Sequence, residues 1–200
     1  LDDLRPHLCR TRDGGRTWTE ITAGLAPDAP TNVIREDPVR RGLLYAGTET
    51  QAWFSLDDGD HWHPLRLNMP AISIRDLIVK DADLAVATHG RGFWILDDVS
   101  ALRQWDARTA TEAATLFAPA TATRVRYSMY TDTPVPPDEP RAENPPDGAV
   151  IDYFLARDAQ RVTLELLDAR GRVLRTFASD DPTPAPRDED NAPWYWFRPA

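Results

Sequence analysis

Short apolar and aromatic runs, separated by Gly, Pro and Asp, fill the first half of the chain. Asn32-Val33-Ile34, Gly42-Leu43-Leu44-Tyr45-Ala46-Gly47 and Ala52-Trp53-Phe54-Ser55-Leu56 form one set. Ile74-Arg75-Asp76-Leu77-Ile78-Val79, Asp83-Leu84-Ala85-Val86-Ala87 and Gly92-Phe93-Trp94-Ile95-Leu96 repeat its order. Runs of this length bounded by turn residues predict β-strands. No window before about residue 100 carries the 3.6-residue stripe of an amphipathic helix.

The second half keeps the strand pattern but interrupts it. Ala-Thr repetition at 109–115 precedes a candidate strand, Thr123-Arg124-Val125-Arg126-Tyr127. Pro134, Pro136, Pro137, Pro140, Pro145 and Pro146 then crowd together with Asp138, Glu139 and Glu143, a composition that reads as an extended linker. Beyond it, Ala149–Leu155 reads as a strand. Arg161–Leu167 and Arg172–Ala178 alternate with period two around Asp168-Ala169-Arg170-Gly171, which suits a hairpin with a type I turn and a bulge. An acidic, Pro-rich loop follows over 180–190, and Trp194-Tyr195-Trp196-Phe197 is expected to begin a further strand or pack on the hairpin.

The first half is also periodic in detail. Thr11-Arg12-Asp13-Gly14-Gly15-Arg16-Thr17-Trp18 recurs 44 residues later as Ser55-Leu56-Asp57-Asp58-Gly59-Asp60-His61-Trp62. The shared frame is Ser/Thr-x-Asp-x-Gly-x-x-Trp. A decayed third copy, Ile95-Leu96-Asp97-Asp98-Val99, places Asp97 a further 40 residues on. The upstream context repeats in step, since Leu44-Tyr45-Ala46-Gly47-Thr48 stands before Asp57 as Leu84-Ala85-Val86-Ala87-Thr88 stands before Asp97. Units of about forty residues with four short strands have the size of one propeller blade.

The box spacing has a mechanical reading. Asp13 or Asp57 accepts N–H groups of its own turn, as Asx-turns do. Gly15 or Gly59 supplies the positive φ of a tight reversal. Trp18 or Trp62 then opens the return strand and buries its ring between sheets. These residues build a corner and no reactive centre.

Composition narrows the function classes. The 200 residues carry 23 Lys+Arg against 32 Asp+Glu, a net charge of −9, which speaks against nucleic-acid binding and against docking on anionic lipid. No apolar run is long enough to cross a bilayer, so no membrane insertion is expected. Cys9 is the single cysteine, which excludes a disulfide scaffold and reads as a free structural thiol. No secretory leader is visible at the start, and both ends read as cut from something longer.

The two boxes resemble the Asp-box (BNR) repeats of sialidases, xyloglucanase-type glycosidases and sortilin-type propellers. The run from Asp83 to Asp98 is similar to the last blade of large bacterial proteins of the sortilin-like or BNR-repeat glycosyl hydrolase-like kind, and Asn144–Tyr153 resembles the stretch that follows it. The resemblance implies an all-β chain: the last two to three four-stranded blades of an Asp-box β-propeller over 1–105, a Pro-rich linker or surface arm over 106–146, and part of an Ig- or fibronectin-like β-sandwich over 147–200. It also implies a secreted or periplasmic binding scaffold whose partner is a protein or a polysaccharide. The alternative is a xyloglucanase- or sialidase-like glycoside hydrolase with its carboxylates partly outside this stretch.

Candidate chemistry is sparse. Thr88-His89-Gly90-Arg91-Gly92 projects an imidazole and a guanidinium from a sharp loop, and His89 and Arg91 are the candidate ligand-binding pair. Arg91 suits a carboxylate on a sugar acid or peptide terminus; the alternative is an ion pair that locks the unit. His61 and His63 flank Trp62, yet no third ligand accompanies them. Asp57-Asp58-Gly59-Asp60 lacks the closing Glu of a calcium loop. No metal or cofactor is expected. A glycosidase needs two carboxylates, and no motif assigns an acid or base among Asp76, Asp81, Asp83, Asp97 and Asp98. By the resemblance, Asp13, Gly15, Trp18, Asp57, Gly59, Trp62 and Asp97 are structural box residues remote from any axial site.

Overall fold

The computed structural model describes residues 3–123 and 148–182. All but the first residue of the strand expected at 123–127, the Pro-rich run that follows, most of the acidic loop and the aromatic cluster at 194–197 lie outside the described residues.

The fold is all-β, with small antiparallel sheets formed by sequence neighbours. Strands β1 (Cys9–Arg10) and β2 (Thr19–Glu20) flank the first box. Four strands follow in the order β3 (Thr31–Glu36), β4 (Leu44–Thr48), β5 (Ala52–Ser55) and β6 (His63–Pro64). A three-stranded sheet comes next, from β7 (Ile74–Lys80), β8 (Asp83–Thr88) and β9 (Phe93–Leu96).

The repeat extends to the backbone. The β3–β4 ladder slips between Thr31 and Val33, opposite Thr48 and Gly47. The β7–β8 ladder slips between Ile74 and Asp76, opposite Thr88 and Ala87, the positions 40 residues later. Each slip leaves one extra residue, Asn32 or Arg75, outside the pairing.

The central sheet is covered on both faces, so every residue of β4 is buried. Leu44 and Ala46, with Trp53 and Trp62, pack against Leu8, Ile21 and Leu25 of the preceding unit. Leu43, Tyr45, Val33 and Ala52 turn the other way, onto Ile74, Leu77, Leu84 and Val86 of the following sheet. Burial of this kind, about 25 cal/mol per Å² of apolar surface, holds the sheets together.

The sequence pattern does not announce the element that follows β9. Where the third repeat is expected to continue after Asp97, the chain forms a short helix, α1 (Ser100–Gln104). Asp98 accepts the Ser100 N–H at 2.8 Å, and Val99 enters the core. Arg103 then reaches back to Asp37, whose side chain is fully buried, at 3.0 Å. Asp37 itself caps the N–H groups of Val39 and Arg40 at 2.8 Å each. The helix is therefore fastened to the loop between β3 and β4.

The stretch expected as a linker also contributes structure. Strand β10 (Ala114–Leu116) pairs with β11 (Tyr153–Leu155), the end of the strand expected at 149–155. Trp105 lies edge-on to Phe154 at 4.7 Å and stacks on Phe117 at 6.2 Å. Strands β12 (Thr163–Leu167) and β13 (Val173–Ala178) form the expected hairpin, with a register shift at Leu166/Leu167 and Gly171 at φ +76° in the turn. Leu166, Leu167, Val173 and Leu174 are exposed, and among the described residues no third strand joins this hairpin. No helix among the described residues is long and apolar enough to cross a membrane.

Candidate functional site

The strands have two ends, and the motifs divide between them. At one end, the Asp58 N–H donates to the Gly42 carbonyl at 2.9 Å, which joins the second box to the β3–β4 loop. At the other, the turns after β4 and β8 meet the segment leading into β7: Ile72 N–H donates to the Thr50 carbonyl and His89 N–H to the Ser73 carbonyl, both at 2.9 Å. His89 and Arg91 thus lie at the end opposite the second box.

The boxes form as the spacing predicts. Asp13 accepts the Arg16 and Thr17 N–H groups at 3.0 and 2.9 Å and the Thr17 hydroxyl at 2.7 Å. These bonds, led by those from Thr17, lower its carboxyl below the usual range. Asp57 accepts the His61 N–H at 2.9 Å and the Ser55 hydroxyl at 2.8 Å. The His61 ring meets it at 2.7 Å, where Thr17 stands in the first box. Burial pushes the Asp57 carboxyl up, but the hydrogen bonds from His61 and Ser55 outweigh it and leave the group lowered. The His61 imidazole is raised in turn, chiefly by its bond to Asp57. Gly15 and Gly59 take φ +89° and +91°. His63 leaves this cluster and lies against Phe54 at 5.4 Å. Among the described residues no group of three or more His, Cys, Asp or Glu is placed to hold a metal.

The third copy has lost this chemistry. Asp97 is raised, first by burial and then by the neighbouring Asp83 charge.

The two tryptophans correct the expectation that both rings are buried. Trp62 is 3% exposed and Trp18 is 63% exposed. Trp62 is seated by the preceding unit, where its indole N–H donates to the Ile21 carbonyl at 2.7 Å and its backbone N–H to the Ala23 carbonyl at 2.9 Å. Among the described residues no such seat faces Trp18, and its indole N–H turns back to the Gly15 carbonyl at 3.1 Å.

The end carrying His89 holds a polar cluster that the sequence pattern does not announce. Glu49, in the turn after β4, accepts the Asn32 amide at 3.0 Å and the Arg75 guanidinium at 3.1 Å. Both donors are the extra residues of the two ladder slips. Asn32 also donates to the Ile74 carbonyl at 2.9 Å, tying the sheets together. Beside them, Arg35 pairs with Asp76 at 2.8 Å. Asn32, Arg35, Arg75 and Asp76, with Leu8 and Val33, line an open cavity of about 500 Å³.

His89 holds the place 40 residues after Glu49, and its charge favours the ionised form of that carboxyl. Both His89 and Arg91 are exposed. Gly90 and Gly92 take φ +86° and +65°, and the Thr88 hydroxyl and N–H both donate to the Gly92 carbonyl. Among the described residues Arg91 makes no side-chain hydrogen bond, while its carbonyl accepts the Trp94 indole N–H at 3.1 Å.

Compared with family models, curated proteins and solved structures, the chain gives no match. The geometry alone therefore decides what the cluster can do.

The Ser73 hydroxyl oxygen is closed off from solvent without a partner in hydrogen-bond geometry. From its place beside Glu49 it acts first, followed by the Asn32 amide, to hold that carboxyl below the usual range; Arg75 and His89 act the same way. Glu49 is thus kept ionised, which suits binding of donors and cations and opposes a general-acid role.

Proposed function

We propose that the successive sheets are blades of an Asp-box β-propeller, of the sortilin-like or BNR-repeat kind. On this reading the β12–β13 hairpin belongs to a β-sandwich after the propeller, and the protein is an extracytoplasmic binding scaffold for a protein or polysaccharide. Two boxes with the same internal hydrogen bonds, and the seating of Trp62 on the preceding unit, support the architecture.

The observation that carries the binding role is the convergence of Asn32 and Arg75 on Glu49 from two neighbouring sheets. It gathers planar, directional polar groups beside an open cavity, as recognition of hydroxyls, amides and carboxylates requires. His89 and Arg91 extend this surface. Hydrolysis draws no comparable support at this cluster: glycosidases raise one carboxyl to serve as acid, whereas Glu49 is lowered and Asp76 is engaged by Arg35, and the raised carboxyl of Asp97 lies at the other end of the strands.

Titration of the protein against a panel of polysaccharides and extracytoplasmic peptides, followed by NMR, tests the proposal. Shifts should centre on Asn32, Glu49, Arg75 and His89, and Arg75→Ala should weaken binding by about tenfold, the loss of one charge-assisted hydrogen bond. Binding unchanged by Arg75→Ala and His89→Ala, or release of reducing sugar from the same panel, overturns it.

A further inference from the structure

Helix α1 has little of its own to hold it. It is five residues long, its N-cap Val99 offers no side-chain bond, and no acidic residue stands in its first turn. A helix this short does not persist alone, and none of its residues is fully buried. On one side polar contacts pin it: Arg103 reaches the Asp37 carboxylate and, at 2.7 Å, the Asp81 carbonyl, while Arg40 donates to the Leu102 carbonyl. On the other side it holds the β10–β11 pair. The Gln104 amide donates to the Ala118 carbonyl at 2.9 Å and accepts the Ala118 N–H at 2.8 Å. Trp105 follows, against Phe117 and Phe154. Among the described residues neither strand of that pair joins an earlier sheet.

Beside the Arg103–Asp37 pair lies a hydroxyl that nothing uses. The β3–β4 ladder pairs Arg35 with Tyr45 and Glu36 with Leu44, and runs on where the Asp37 N–H donates to the Leu43 carbonyl at 2.8 Å. Residues directly opposite, or two apart on one strand, share a face. Asp37, Leu43 and Tyr45 therefore lie on the same side, with Tyr45 diagonal to Asp37 and within reach of a phenol. Tyr45 is fully buried, and its hydroxyl has no hydrogen-bond partner among the described residues. Burial first, then the Asp37 charge, push its phenol up against the opposing pull of Arg103 and Arg40, so it stays a donor. A buried hydroxyl left unpaired destabilises the state that contains it.

We propose that α1 is a latch that releases from the sheets while they stay folded, and that Tyr45 is the donor held in reserve for Asp37. In the closed state Arg103 serves the carboxylate and the phenol goes unused. When Arg103 withdraws into solvent, the Tyr45 O–H donates to the carboxylate in its place. An Asp37 stripped of its cation and given nothing else would make opening prohibitive. The unmade bond of the closed state and the bond made in the open one both narrow the gap between the two. This places α1 at the low-stability end of the molecule. Opening gives up the contact of Leu102 with the core but leaves Val99, which precedes the helix, seated there. Because Gln104 and Trp105 hold the β10–β11 pair, that pair moves with the helix, and the fold gains a hinge after β9.

Hydrogen exchange of the full chain, followed by mass spectrometry, tests the latch. Amides over 100–118 should exchange well before those of β4 and β8. Tyr45→Phe removes the unpaired hydroxyl from the closed state and the reserve bond from the open one, so it should slow exchange over 100–118 by about tenfold. A phenol that only fills the core would leave that exchange unchanged or speed it, and either result overturns the proposal. Arg103→Met should hold the latch open, with fast exchange over 100–118 while β4 and β8 remain protected. In that background Tyr45→Phe should lower the folding equilibrium constant by about fivefold in urea unfolding, whereas in the parent chain it should leave it unchanged or raise it. Equal effects in the two backgrounds, or release of α1 only together with β4 and β8, also overturn the latch. Should Arg103→Met not fold, the exchange of Tyr45→Phe decides alone.

Discussion

Trp62 donates its indole N–H to the carbonyl of Ile21, 41 residues earlier, at 2.7 Å. This bond and the burial of the ring join one unit of the repeat to the one before it. Trp18, in the same position of its own box, has its ring in solvent. Replacing Trp62 with Ala should lower the unfolding free energy by about 3–5 kcal/mol, as for other buried aromatics. Trp18→Ala should cost less than about 1 kcal/mol. Urea unfolding of the two variants checks the difference; equal losses would contradict the structure.

The seat of Trp62 depends on Gly24. It takes φ +97°, and a Cβ there would lie 2.5 Å from the Trp62 carbonyl oxygen. Gly90 has a similar φ of +86° but open space around it. Gly24→Ala should therefore cost at least about 2 kcal/mol, from strain plus displacement of Trp62. Gly90→Ala should cost about 1 kcal/mol, from strain alone. Chemical denaturation that ranks them the other way would show that the packing around Trp62 is not as described.

Asp37 and Arg103 fasten α1 to the core, with the Asp37 side chain wholly buried. Removing the cation leaves a buried carboxylate without its partner, so Arg103→Met should destabilise by about 3–5 kcal/mol. Asp37→Asn combined with Arg103→Met should recover part of that loss, since the charge is then gone from both sides. A double-mutant cycle measures the coupling directly.

The Asp57–His61 pair gives the second box a pH dependence that the first lacks. His61 is raised by Asp57, so its contribution is complete below the ordinary imidazole value of about 6.5 and fades as pH rises through the folded value. Asp57 is lowered, so its contribution is present above the ordinary carboxyl value of about 3.9 and fades as pH falls through the folded value. The pair is therefore strongest between these limits. An NMR titration should find His61 above the ordinary value, and Asp57→Asn should return it toward that value. If His61 titrates identically in both proteins, the pair does not form in solution.

What the sequence reveals and what it conceals follow different physics. The boxes were legible because their hydrogen bonds close within a few residues, so Asp, Gly and Ser or Thr must recur at fixed spacing. The strands of the central and following sheets were legible from apolar runs between turn residues. Helix α1 was hidden because it is five residues long and is held by Arg103 reaching to Asp37, which no local pattern encodes. The strand β10 was hidden in an Ala-Thr stretch whose partner lies beyond the Pro-rich run. Of the polar cluster, His89 was visible beside its glycines. Glu49, Asn32 and Arg75 were not, because they meet through ladder slips that leave no mark on composition; only the 40-residue step from Glu49 to His89 pointed there.

The box corners differ from the rest of the molecule in how far their bonds reach along the chain. Asp13 and Asp57 satisfy their turns within four residues, whereas Trp62 must find Ile21 across the whole intervening unit. Closing a short loop sacrifices little chain entropy and closing a long one more. We expect these corners to form early on the folding pathway and the docking of adjacent sheets to come last. Substitutions at Asp57 should then slow refolding, while substitutions at Trp62 should chiefly speed unfolding; stopped-flow kinetics that reverse this pattern would refute the order.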